Sequence, residues 1–89
     1  MSLNLHQLRN KIDNLDYQLL ELLAKRLRTC KEIAEYKQQN SLPIQDKNRE
    51  IEIIKGRIQK FEGLGFDDED FVQQLFELIM KKSREVQKL

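Results

Sequence analysis

The chain is expected to be all-α, with three helices, the first much the longest. Three observations predict this. Gly and Pro together number only four in 89 residues, so few positions can break a helix. The remainder is rich in Leu, Ile, Glu, Lys, Arg and Gln, the composition of long helices. The breakers also fall at two places, Asn40-Ser41-Leu42-Pro43 and Gly63-Leu64-Gly65, which divide the chain in three.

The first segment runs from about Leu5 to Gln39. At 1.5 Å per residue such a rod is roughly 50 Å long, well beyond the breadth of a domain whose radius of gyration should be about 12 Å. Its apolar stripe reads Leu8, Ile12, Leu15, Leu19, Leu22, then Cys30 and Ile33. Steps of three and four suit a helix–helix seam. Two shorter helices cannot cover so long a stripe, so an intertwined two-fold homodimer is expected. The second helix is expected from about Asp46 to Phe61, with Gly56 costing about 1 kcal/mol relative to Ala. The acidic run Asp67-Asp68-Glu69-Asp70 suits the start of the third, expected over 67–88, because a helix N-terminus favours negative charge. One domain spanning 1–89 accommodates all three helices.

Composition also excludes classes. No apolar run reaches 18 residues, so no transmembrane helix is expected, and no secretory signal is visible. The lone cysteine, Cys30, fits a reducing, cytoplasmic setting. A net charge of +1 gives no general footprint for nucleic acid or an anionic membrane. Anion binding would need a local grouping of cations. His6 and Cys30 are too far apart to form a metal site.

Polar residues on the apolar stripes carry the functional signal. On the first helix the stripe passes through Arg26 and Lys37, which are 11 residues apart. They differ by about 20° around the axis and roughly 16 Å along it. Two long cations so placed leave room for a small anion, although snorkelling to solvent or pairing with a neighbouring Glu would also account for them. On the third helix, Val72, Phe76, Ile79 and Met80 lead to Ser83 and Gln87 on the same face. These must find partners or lie at a fraying end. On the second, Asp46, Arg49 and Glu50 share a face with Ile53 and Ile54, where ordinary surface pairing and capping compete. One polar pocket among the helices explains all three groups. Arg9 lies about 100° and roughly 25 Å from Arg26, so it could join such a pocket only from the partner of an antiparallel dimer.

These residues bear a family resemblance. LRNKIDNLDYQLLELLAKR, Tyr36-Lys37, Asp46-Lys47-Asn48-Arg49-Glu50 and LFELIMKKSREVQ together resemble the all-helical chorismate mutases over residues 5–88. The resemblance implies a homodimer with two equivalent sites, conversion of chorismate to prephenate on the way to phenylalanine and tyrosine, and no metal or organic cofactor. It implies that Arg26, with Arg9 from the partner chain, holds the substrate's two carboxylates. Lys37 and Gln87 would hydrogen-bond the ether oxygen of the breaking bond. Glu50, helped by the backbone N–H of Asp46, would accept from the ring hydroxyl. Ser83 would meet a carboxylate, and Arg49 would anchor Glu50 or meet the substrate's polar edge. The departures lie at flanking positions, for example Arg84 beside Ser83.

The residue inventory suits that chemistry. A unimolecular pericyclic rearrangement needs no nucleophile, base or redox group. It needs selection of a compact conformer and stabilisation of the charge that develops as the C–O bond breaks. Two alternatives share the pattern: a lyase on the same fold that eliminates pyruvate from isochorismate, and a non-catalytic helical module whose polar residues set register. A separate enzyme of the same pathway could bind such a unit.

Overall fold

The computed structural model describes residues 4–88; residues 1–3 and 89, at the ends of the expected 1–89 unit, lie outside them. The described residues form three helices and no strand: α1 (Leu5–Gln39), α2 (Lys47–Gly63) and α3 (Glu69–Gln87). The fold is all-α.

Local chemistry sets each helix end. Asn4 caps α1: its side chain accepts from the Gln7 N–H at 2.9 Å, and the Gln7 side chain accepts from the Asn4 N–H at 3.0 Å. This reciprocal box satisfies two otherwise orphaned donors. α1 stops where Ser41 takes a left-handed conformation, φ 54°. The Leu42 N–H then donates to the Lys37 carbonyl at 2.8 Å, and Ser41 to Gln38 at 3.3 Å, closing a Schellman motif. Asp46 lies just outside α2, which begins one residue later than expected. Its carboxylate accepts from the Arg49 N–H at 3.0 Å.

α2 continues two residues past Phe61 and ends on Gly65 at φ 100°, a conformation that suits glycine. Phe66 donates to the Phe61 carbonyl, and the two rings stack with centroids 5.3 Å apart. That is the apolar contact this C-terminal motif favours. Asp68, rather than Asp67, caps α3 by accepting from Phe71 at 3.1 Å, with Glu69 and Asp70 in the first turn.

α3 is the central element, packed against both α1 and α2. The core is thin: Cys30 from α1, Ile53 from α2, and Val72, Met80 and Val86 from α3. The molecule measures 58 × 25 × 16 Å and its radius of gyration is 16.6 Å, against about 12 Å for a compact chain of this length. The excess comes from α1. Every residue from Asn4 to Leu22 is exposed, including Leu8, Ile12, Leu15, Leu19 and Leu22, each 45–62% accessible. No helix among the described residues is long and apolar enough to cross a membrane.

Candidate active site

A cleft of about 500 Å³ lies between the C-terminal half of α1, the start of α2 and the end of α3. That volume suits a small organic molecule. Arg26, Lys37, Asp46, Arg49, Glu50, Ser83 and Gln87 all line it, so seven of the eight expected residues meet there. Arg9, the eighth, is exposed on the free half of α1 and does not line the cleft.

The polar residues of α1 and α3 are joined across the cleft. Arg26 donates from Nη1 to the Ser83 hydroxyl at 2.5 Å. Ser83, 6% exposed, donates its own O–H to the Ile79 carbonyl at 2.8 Å. Lys37 donates to the Ile44 carbonyl at 2.5 Å and to Gln87 Oε1 at 3.3 Å. Gln87 in turn donates to the Ser83 carbonyl at 3.2 Å. Ser83 and Gln87 therefore both have partners, although Gln87 is the last residue of α3. Neither Arg26 nor Lys37 pairs with a carboxylate among the described residues. An ammonium has three donors, and two on Lys37 are used; a guanidinium has five, and Arg26 spends few. Donors remain for an anion.

The loop after α1 positions Lys37 as much as the helix does. The turn at Ser41 carries the chain back so that the Ile44 carbonyl meets the lysine ammonium. Asp46 is held at the mouth by its capping bond to Arg49.

The environment of Glu50 differs from the expectation. Arg49 does not anchor it. Arg49 points outward, 58% exposed, with Nη1 3.7 Å from Glu52. Arg84 holds Glu50 instead: its Nη1 lies 2.9 Å from Oε1 and 2.8 Å from Oε2. The physical reason is position. Arg49 and Glu50 are neighbours on one helix and diverge by about 100°, whereas α3 presents Arg84 directly to α2. Sequence reasoning set Arg84 aside as a flanking residue. The pattern Val72, Phe76, Met80, Arg84 steps by four and would have found it. Arg57 was also missed: it lines the cleft, four residues after Ile53, with its guanidinium 5.9 Å from the Phe76 ring centroid. Five cations thus face two carboxylates around the cleft. A protein with net charge +1 concentrates positive charge at this one place.

His6 and Cys30 do not approach one another. His6 lies within 3.5 Å of Asn10 on the exposed half of α1, and Cys30 is a buried, free thiol in the core.

Comparison with known proteins matches the same span. Residues 8–88 fit the family model described as chorismate mutase type II. The chain is 34% identical over 84 residues to a protein named chorismate mutase from Methanocaldococcus jannaschii, covering 94% of this chain and 84% of that protein. It is 36% identical over 83 residues to the T-protein of Enterobacter agglomerans, covering 93% of this chain but 22% of that protein. It is also 36% identical over 83 residues to the bifunctional chorismate mutase/prephenate dehydratase of Buchnera aphidicola, covering 90% of this chain and 20% of that protein. The chain thus spans about a fifth of the length of the two longer relatives and most of the archaeal one. With a family model matching nearly its whole length, this chain belongs to the type II chorismate mutase family.

Proposed function

We propose that the chain is a chorismate mutase, rearranging chorismate to prephenate in aromatic amino acid biosynthesis. The observation that carries this reading is the convergence of Arg26, Lys37, Glu50, Ser83 and Gln87 on one small-molecule cleft, with cation donors to spare. Arg26, beside Ser83, receives a substrate carboxylate, for which a guanidinium fork is well shaped. Lys37 and Gln87 meet the ether oxygen. As the C–O bond breaks, negative charge grows on that oxygen, and a fixed ammonium stabilises it without reorganisation. Glu50 and the Asp46 N–H, at the N-cap outside the helical ladder, meet the ring hydroxyl. Arg49 lies at the polar edge of the substrate. The bond that breaks and the bond that forms both lie within the substrate, so the protein's task is to hold the compact conformer.

The active form in this proposal is a homodimer. Its support is the exposed stripe Leu8, Ile12, Leu15, Leu19 and Leu22. Burying the exposed half of one such side chain is worth on the order of 1 kcal/mol, repeated along the rod. In an antiparallel pairing the free half of α1 reaches the partner's cleft and brings Arg9 to the second carboxylate. A cytoplasmic setting belongs to the same proposal, supported by the buried thiol of Cys30.

The test is a purified-protein assay following loss of chorismate, with product identification. Prephenate is the expected product. Salicylate and pyruvate formed from isochorismate would instead identify the lyase, and no binding of a bicyclic dicarboxylate transition-state analogue would identify a non-catalytic module.

A further inference from the structure

The Arg84–Glu50 pair stands apart from the other ion pairs. The other two are i,i+3 pairs on one helix with side chains at least half exposed. Among the described residues, this one alone joins two helices, and its side chains are 28% and 23% exposed. It also forms a partition. Glu50, Arg84 and Met80 line the cleft on one side and an outer groove of about 320 Å³ on the other.

The contact geometry has a particular character. A single guanidinium nitrogen bridges both carboxylate oxygens, at 2.9 and 2.8 Å. A carboxylate offers about four lone-pair sites, so each oxygen keeps one for another donor. Gln45 approaches Oε1 at 3.5 Å from the opposite direction in sequence, at the edge of accepted hydrogen-bond length. A glutamate carboxylate ends a chain of rotatable bonds, and a charged partner on a second helix restrains its swing. Arg84 supplies that partner.

We infer that Arg84 is a positioning residue: it fixes the Glu50 carboxylate so that the site reads the ring hydroxyl of its substrate. This rests on the chorismate mutase reading, and deepens it by assigning hydroxyl discrimination to a pair spanning α2 and α3. A site that holds a fixed acceptor for a hydroxyl discriminates strongly against analogues that lack it, whereas a mobile acceptor does not. Arg84 itself need not touch the substrate.

The test measures kcat and KM for chorismate and for an analogue lacking the ring hydroxyl, in the assembled wild-type protein, Arg84→Ala, Arg84→Lys and Glu50→Gln. Arg84→Ala is expected to lower kcat/KM for chorismate about 10–100-fold, mostly through kcat, as expected for a misplaced contact. Turnover of the analogue should change little, so the ratio between the two substrates collapses toward that of Glu50→Gln. Because the ratio cancels the folded fraction, it reads the role even if the Ala variant is less stable. Arg84→Lys should restore most of the ratio, since one nitrogen makes both contacts. Adding Arg84→Ala to Glu50→Gln should bring little further loss. Equal losses on both substrates, or full additivity with Glu50→Gln, overturn the assignment. A wild-type protein that converts no chorismate overturns the functional reading itself, and the assignment with it.

Discussion

From Leu8 to Leu22 the apolar side chains of α1 face outward, whereas further along two of its cations, Arg26 and Lys37, turn in against α3. The same continuous helix thus exposes leucines in one half and shelters two cations in the other. Ordinary burial preferences run the opposite way. The difference teaches that a single chain contains one finished region and one unfinished one. The C-terminal half of α1 has partners within the chain: Ser83, Gln87 and the Ile44 carbonyl hold Arg26 and Lys37 in place and leave donors for a ligand. The N-terminal half has none among the described residues, and an apolar stripe of this length marks a surface for association.

Breaking the unfinished half should have the largest effect. Leu15→Asp combined with Leu19→Asp places two charges on the stripe. Sedimentation should show loss of the dimer, and activity should vanish with it, since each cleft would lose its partner's Arg9. A fully active monomer would refute the dimeric site. Lys37→Ala acts on the finished half. Losing one preorganised donor typically costs on the order of 10²–10³ in rate. We expect kcat to fall by about that factor while circular dichroism and the dimer are unchanged. Near-normal turnover would remove Lys37 from the proposed role.

A mixing experiment joins the two halves. Arg9→Ala and Lys37→Ala should each be nearly inactive alone. Co-refolded in equal amounts, half the dimers are mixed, and each mixed dimer has one intact site, so roughly a quarter of wild-type activity should return. No recovery would mean that Arg9 serves its own chain's cleft, and an Arg9→Ala variant active by itself would mean that it serves none. The smallest effect belongs to α2. A methyl group added at Gly56 meets nothing within 4 Å, so Gly56→Ala should raise stability by about 0.5–1 kcal/mol, read as a higher Tm, with activity unaltered.

Much of this was legible in the sequence because it depends on short-range rules. Breakers at Asn40–Pro43 and Gly63–Gly65 located the helix ends to within two residues. Helical spacing alone placed Arg26 with Lys37, and Ser83 with Gln87, on common faces. The radius of gyration bears out the expectation of a rod too long for its own domain. What escaped depends on how one helix meets another. Arg49 was the expected anchor for Glu50, and the packing of α3 on α2 gives that part to Arg84 instead. Arg57 escaped for the same reason, since its aromatic neighbour Phe76 belongs to another helix. Capping also escaped in detail: α3 starts at Glu69 rather than at Asp67, because the Asp68 carboxylate is the one that reaches the Phe71 N–H.

The turn at Ser41 ties two jobs to one residue. The Lys37 carbonyl accepts the bond that ends α1, and the Lys37 ammonium reaches the Ile44 carbonyl in the same loop. Chain length between residues 37 and 44 is thereby part of the site's geometry. Inserting even one residue there would shift Ile44 away from the ammonium, although surface connections usually accept insertions. The Gly63–Phe66 turn, closed by its own stacked rings away from the cleft, carries no such restriction. Of the two loops in this molecule, the first is the poor place for a tag, a linker or a circular permutation, and the second the better one.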